Sequence, residues 1–457
     1  MSLIEKTNES NFLESFFHKL SEANVEYSVL RNYESLPASL NGSDLDILIG
    51  RKDVNLFYNI LDEIIKTLNA KIIIKFGQET PQICVCGYTS AWWGIQIDVF
   101  EGILPYKSVP IFDPDVILKR SKTHHSILVT DDDDGAILSL LKEILNNSHC
   151  SEKIFNDAKN AFTKHEQLYV EQINKHFNHN IGQLFKTTLS QNYHLENIKT
   201  LSHKAQGVKK SGVKNIIKII KTQFQKISRF LSPPGFSIAI LGSDGSGKTT
   251  IIDSITKPLS QSVHKAFYYE HMRPNLIPNI ASLFGKKVTK EEIAAPQSSK
   301  PSGAIGSILR LSYYSFDYLA GYWLKVYPKM VKKSCIWVFD RYYYDYLIDP
   351  LRARINLPSW FIKSFLFFLP QPDLILCFGA DPKIIYNRKP ELSLEELTRQ
   401  NVILRDIVSK NTKAKWMDSN CSIEEMVDKV MTEITNQMSD RYKNTKLSKQ
   451  TNEGQTI

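Results

Sequence analysis

Along residues 11–23 apolar side chains recur at helical spacing, and Asn8 or Ser10 offers an N-terminal cap, so the chain is expected to open with a helix. The period then shortens. Alternating or short apolar runs predict strands at 26–31, 44–49, 70–76, 82–87 and 94–100, with a second helix at 54–68. From 131 to about 192 the spacing is helical again. The four aspartates at 131–134 open the helix expected at 135–145. Acidic residues there are stabilised by the helix dipole, which accounts for the run better than metal ligation does.

Beyond 236 the pattern becomes strand, loop and helix in repetition. Strands are expected at 236–241, 266–269, 335–339, 374–379 and 415–417. Helices at 248–259, 382–386 and 423–434 lie between or after them. Strands alternating with helices imply a parallel sheet covered on both faces. From 284 to 307 the chain is rich in Lys, Ser, Pro and Gly without a period, which predicts a mobile loop, and the polar end from 437 predicts a disordered tail.

The length of 457 residues suits two domains better than one core. Hydrophobic and charged contents of 42% and 23% are those of a soluble globular protein. The net charge of +9 would suggest a nucleic-acid binder if it were spread over a face. It is not. Residues 203–234 hold seven lysines and one arginine without an acid, so the remainder is close to neutral and carries no specific nucleic-acid signal.

Within that segment, apolar residues at 213, 216, 217, 220, 224, 227 and 231 keep helical spacing. Two readings stay open: a connecting helix docked on one domain with its lysines wet, or peripheral contact with an anionic membrane surface. The six cysteines form no C-x-x-C pair and read as buried free thiols. The polar N-terminus and the lack of a long apolar span point to the cytoplasm.

Candidate chemistry begins at 242–250, Gly-Ser-Asp-Gly-Ser-Gly-Lys-Thr-Thr, which satisfies G-x-x-x-x-G-K-[ST] between an expected strand and helix. Gly242, Gly245 and Gly247 permit the backbone angles that turn N–H groups inward as an anion nest. Ser243, Asp244, Ser246 and Thr250 complete the loop. Lys248 can neutralise β- and γ-phosphates, and the Thr249 hydroxyl can ligate Mg²⁺. The strand 335–339 delivers Asp340 and Arg341 to the carboxyl edge of the sheet, the first suited to Mg²⁺ and the second to an acceptor phosphate. Arg388 falls where a flap could lay it on a transferring phosphoryl group.

On these motifs, residues 236–437 resemble the thymidylate kinase-like branch of P-loop phosphotransferases. The resemblance implies ATP and Mg²⁺ as cofactors. It places Asp244 near the acceptor's sugar, Asp340 and Arg341 at the metal and acceptor phosphate, and Arg388 over the group in transfer. Arg273 is a further candidate for the acceptor phosphate. The stretch Tyr343-Tyr344-Asp345-Tyr346 departs from the pattern with which thymidylate kinases read their nucleotide. The acceptor is therefore left between a nucleoside monophosphate and a sugar-type metabolite.

The same tripeptide, Gly42-Ser43-Asp44, occurs in the first half. On a strand, Asp44 and Asp46 share one face while Leu45, Ile47 and Ile49 point into the core. Asp98 on a later strand offers a third carboxylate, and three such groups can hold two Mg²⁺ ions. Residues 20–105 thus resemble the nucleotidyltransferase superfamily, although Ser43 abuts Asp44 where many members interpose about ten residues. Arg31 and Asn32 could stand in for the grip on triphosphate.

The expected architecture is α/β. A nucleotidyltransferase-like α+β domain with a helical C-terminal part (1–202) leads through a basic linker helix (203–234) to a P-loop, doubly wound parallel sheet with helices on both faces (235–436). A disordered tail (437–457) follows. The expected function is an ATP-dependent phosphotransferase acting on a small-molecule acceptor, joined to a candidate metal-dependent nucleotidyltransferase. An ATP-binding switch or scaffold with an inactive first domain is the alternative, and a homodimer is left open.

Overall fold

A computed structural model describes residues 8–77, 80–210, 220, 227, 229–264, 266–278 and 301–444. The chain falls into two compact units, Met1–Leu231 and Ser232–Ile457.

The first unit opens with α1 (Asn8–Glu22), β1 (Tyr27–Val29), β2 (Leu45–Ile49), α2 (Val54–Thr67), β3 (Lys71–Phe76), β4 (Gln82–Tyr88) and β5 (Trp92–Glu101). In α2 the buried residues Phe57, Ile60, Leu61, Ile64 and Ile65 recur at three and four. Each such side chain contributes about 1.5–3 kcal/mol when fully buried, so this stripe docks the helix on the sheet. Leu45, Ile47 and Ile49 point into the same core, as the alternation of β2 requires. Leu48 points the other way, into a second core built largely from helices.

Four short strands and a helix were not legible in the pattern: β6 (Leu104–Tyr106), β7 (Val109–Phe112), α3 (Pro114–Arg120), β8 (Lys122–His124) and β9 (Ile127–Val129). Three residues are too few to set a period, and β9 gains its identity by pairing with β1. The sheet order is β3-β4-β5-β2-β1-β9-β8. The second core is completed by α4 (Asp132–Asn146), α5 (Glu152–Lys164), α6 (Glu166–His176), α7 (His179–Ser190) and α8 (Leu195–Lys210). The aspartate run caps α4 as expected. Asp131 accepts from the Asp133 N–H at 3.0 Å, and Asp134 is buried between Arg120 and Tyr169.

Two boundaries need correction. Helix α8 crosses the expected domain end at 202, because Ser202 and Ala205 are buried in the first unit. Lys209, expected to stay wet, is also buried, donating to the carbonyls of Pro110 and His176. Residues 211–219, 221–226 and 228 of the expected linker helix lie outside the described residues.

The second unit alternates strand and helix: β10 (Phe236–Gly242), α9 (Lys248–Ser262), β11 (Phe267–His271), α10 (Ala304–Gly321), α11 (Tyr327–Lys332) and β12 (Ile336–Asp340). It continues with α12 (Asp345–Ile348), α13 (Ser359–Phe365), β13 (Leu374–Gly379), α14 (Pro382–Arg388), α15 (Leu394–Lys410), β14 (Ala414–Asp418) and α16 (Ile423–Asn444). All five strands are parallel, in the order β11-β12-β10-β13-β14. The three central strands are buried throughout, which explains their unbroken apolar runs. From β10 the chain crosses outward to β11, whereas β13 leads to β14 on the other side. Right-handed crossovers in opposite directions put helices on both faces, and the carboxyl end of β10 becomes a switch point.

The tail expected from 437 is helical as far as Asn444, since Met438 and Ser439 are buried. Residues 445–457, and 284–300 of the expected loop, lie outside the described residues, while 304–307 belong to α10. All six cysteines are free, five of them buried. Among the described residues no helix is long and apolar enough to cross a membrane.

Candidate functional site

The loop between β10 and α9 leaves the sheet at its switch point. Gly242 is confined by both shape and angle: its φ is 156°, and a Cβ there would lie 2.6 Å from the Phe378 carbonyl oxygen. Gly247, with φ 87°, caps α9 in the left-handed conformation, which a side chain would strain. Lys248 folds back into this ring, donating to the carbonyls of Gly242 at 2.9 Å and Ser243 at 2.7 Å. Burial, aided by nearby Arg341, brings its ammonium down to about 7. The hydroxyl oxygens of Ser243 and Ser246 are buried without a hydrogen-bond partner. Buried polar atoms are almost always paired, so the loop is arranged for something it would enclose.

Register brings the second motif alongside. Ile240 of β10 is opposite Asp340 of β12, which in turn is opposite His271 of β11. Asp340 Oδ2 accepts from the Tyr269 hydroxyl at 3.0 Å and lies 3.3 Å from His271 Nδ1. Its other oxygen, Oδ1, is buried and unpartnered. Burial would push this carboxyl up, but His271 and Lys248 outweigh it and hold it below its ordinary value.

Arg341 takes φ 74°, rare for a residue with a side chain and costing of order 1–3 kcal/mol. Its guanidinium is gripped by the buried Asp345 at 2.8 Å and bonds to Asp244 of the loop. The other oxygen of Asp244 accepts from Arg352, which Asp349 holds from behind at 3.3 Å. Three acids and two arginines therefore alternate: Asp345, Arg341, Asp244, Arg352, Asp349. Burial pushes the Asp244 carboxyl up, but the two arginines prevail and bring it to about 2.

Asp244, Lys248, Thr249, Thr250, Asp340, Arg341 and Arg388 line one cavity of about 430 Å³. The Arg388 guanidinium also donates to the Ser419 carbonyl at 2.9 Å. Arg273 is not among the lining residues. It is buried against Asp317 at 2.9 Å and lies over the Tyr314 ring, so the acceptor role expected of it has no support in its position.

In the first unit, parallel pairing of β2 with β5 sets Asp46 opposite Asp98. With Asp44 just before the strand, the three carboxylates bring ligand oxygens within 4.8 Å of one another. Arg31 bonds to Asp46 and lies 3.5 Å from Asp44. Asp98 Oδ1 accepts from Gln82 at 3.1 Å and Gln96 at 3.0 Å. Burial, with Asp46 and Asp44 adding to it, pushes Asp98 up to about 6. Beside the trio a cleft of about 280 Å³ is walled by Phe100, Leu104, Tyr106 and Leu138, with Lys142 of α4 among its polar members.

No family model matches the chain, and no curated protein matches it. Among solved structures, it is similar to thymidylate kinase from Ehrlichia chaffeensis at 15% sequence identity and a TM-score of 0.32. The match covers 44% of this chain and 100% of that one. A likeness at that level adds nothing to the geometry.

Sequence reasoning missed Arg352, His271 and Lys389, all of which line the cavity of the second unit. Asp349-Pro350 was a legible signal for a turn that starts just before Arg352. Nothing in the sequence announces that the arginine reaches Asp244. The side chains suited to a cation are Thr249 and Asp340 in the second unit and the carboxylate trio in the first.

Proposed function

We propose that the second unit transfers the γ-phosphoryl group of ATP to a small phosphorylated acceptor, a nucleoside monophosphate or a sugar-type metabolite. The observation that carries this reading is the meeting in one cavity of the Lys248 loop with the Asp340–Arg341 pair. Backbone N–H groups of the loop and the start of α9 would hold the β- and γ-phosphates. Lys248 would exchange its two carbonyl partners for phosphate oxygens. Mg²⁺ fits the donor set, since Asp340 Oδ1 is buried and unpartnered and Thr249 lines the cavity. When bound, that ion would neutralise charge on the phosphates. Arg341 would orient the acceptor, and Arg388 would stabilise negative charge on the group in transfer. A bond forms from an acceptor oxygen to the γ-phosphorus as the bond to the bridging oxygen breaks, its electron pair leaving with ADP.

ADP release against a panel of nucleotides and sugar phosphates, with Lys248→Ala as control, tests the reading. Tight ATP binding without acceptor-dependent turnover would instead make the unit a nucleotide-gated switch.

The carboxylate trio favours a second reading for the first unit, a metal-dependent nucleotidyltransferase. Asp44, Asp46 and Asp98 would hold Mg²⁺ for attack on the α-phosphate of a nucleotide. Transfer of labelled nucleotide that disappears in Asp98→Ala supports it; transfer that survives the substitution rejects it.

A further inference from the structure

Strand β11 lies beside β12 with His271 opposite Asp340, and Tyr269 is two residues back on the same face. Alternation sends Glu270 to the other face, where Lys325 holds it. Tyr269, His271 and Asp340 therefore meet at the carboxyl edge of the sheet. Asp340 and His271 line the cavity, and Tyr269, 47% exposed, is joined to them through its hydroxyl.

The three side chains divide the Asp340 carboxylate unevenly. Each oxygen of an ionised carboxylate offers two lone-pair directions. On Oδ2 both are used: the Tyr269 hydroxyl donates at 3.0 Å, and His271 faces it through Nδ1 at 3.3 Å. A carboxylate only accepts, so the hydrogen of the second contact belongs on Nδ1. Oδ1 is buried without a hydrogen-bond partner, and both of its directions are open. Neither donor needs the contact for its own packing, since the side chain of His271 is 61% exposed and Tyr269 is exposed as well.

Divalent cations differ in what they ask of such a group. Ca²⁺ takes six to eight oxygens in a flexible shell and often draws both oxygens of one carboxylate, whereas Mg²⁺ demands a near-ideal octahedron. A carboxylate with one oxygen already filled offers a single ligand atom, which suits the smaller ion. Groups that hydrogen-bond a ligand carboxylate also fix its orientation. Their loss typically costs about ten- to a hundredfold in metal affinity.

We propose that Tyr269, supported by His271, is a positioning residue for the cation of the second unit: it fills Oδ2 of Asp340 so that Oδ1 alone is given to the ion, which favours Mg²⁺ over Ca²⁺. This rests on the kinase reading, in which Asp340 and Thr249 hold that cation.

The full-length protein is titrated with a non-hydrolysable ATP analogue in excess Mg²⁺, in excess Ca²⁺ and in a chelator. Hydrogen exchange in residues 242–250 and in Ile336–Asp340 reports binding to the second unit alone. In wild type the analogue concentration for half-protection should be lowest with Mg²⁺, higher with Ca²⁺ and highest in the chelator. Tyr269→Phe keeps the ring and removes only the hydroxyl. Its Mg²⁺ value should rise about tenfold toward the chelator value, its Ca²⁺ value much less, and its chelator value not at all. His271→Ala removes the longer contact and should raise the Mg²⁺ value about threefold; it serves should the first variant not fold. In an Asp340→Asn background Tyr269→Phe should have no further effect, because the hydroxyl acts through that carboxylate.

An unchanged Mg²⁺ value in folded Tyr269→Phe overturns the positioning role, and an equal shift for the two ions overturns the selectivity. Protection that ignores the cation even in wild type removes the ion from Asp340 and this inference with it, while the loop keeps its nucleotide. If the analogue protects neither segment under any condition, the kinase reading itself fails and the inference falls with it.

Discussion

Asp98 and Asp244 are the same residue type, one within β5 and the other in the loop after β10, yet their surroundings push them in opposite directions. Asp98 is one of three carboxylates crowded within 4.8 Å, and burial together with its neighbours raises it to about 6. Asp244 is buried too, but Arg341 and Arg352 clasp it and carry it down to about 2. The first unit gathers negative charge that a cation would satisfy. The second gathers a Lys-bearing loop and arginines that an anion would satisfy. The Gly-Ser-Asp tripeptide that gives Asp44 to the trio and Asp244 to the loop thus says nothing about shared chemistry; the partners supplied from distant strands and turns decide it.

The strongest way to break the contrast is Lys248→Ala. Removing the ammonium from the loop should lower ATP turnover by about a hundredfold or more, as loss of one preorganised charge does elsewhere. Stabilisation of the first unit by Mg²⁺ should persist in the same variant, read by hydrogen exchange in Leu45–Ile49. Turnover close to wild type would remove the loop from the chemistry.

Asp244→Asn comes next. It leaves Arg341 and Arg352 facing an amide, and breaking a partly buried clasp of this kind should cost about 2–3 kcal/mol. Protection of Phe236–Gly242 against exchange reports the loss. The same carboxylate gives an acid limb of stability. Its folded value lies below the unfolded 3.8, so its contribution is complete above about pH 5 and disappears as pH falls through about 2. About 2 kcal/mol should be lost across that window in wild type relative to Asp244→Asn. Parallel pH profiles for the two proteins would show that the clasp contributes nothing.

Much of both sites could be read from the chain because their motifs are local. The loop 242–250 and the strand-end Asp340–Arg341 sit on elements whose periods are long enough to recognise, and register then brings them together. The aspartates 44 and 46 follow from alternation alone, and Asp98 joins them through the parallel pairing of β2 and β5. What escaped depends on partners distant in sequence. Arg273 looked free at a strand end, but Asp317 on α10 engages it. Arg352 belongs to no motif, and Asp244 draws it into the cavity. Ion pairs leave no periodic trace, so the sequence shows which charges exist without showing which are engaged.

The smallest expected effect is also the one with the least intuitive sign. Asp98→Asn should stabilise the metal-free protein by about 1 kcal/mol, because it removes one charge from a repulsive trio. The side-chain oxygen of the new residue can still accept from Gln82 and Gln96, so no buried donor is stranded. Addition of Mg²⁺ should reverse the order. The native trio would gain about 3 kcal/mol at a hundred times its dissociation constant, and the variant, lacking one ligand, would gain less. Thermal unfolding with a chelator and then with Mg²⁺ should therefore show the two proteins exchanging rank. A variant less stable than wild type in the chelator would mean that repulsion among the three carboxylates is already relieved, with Arg31 beside Asp46 the group placed to do it.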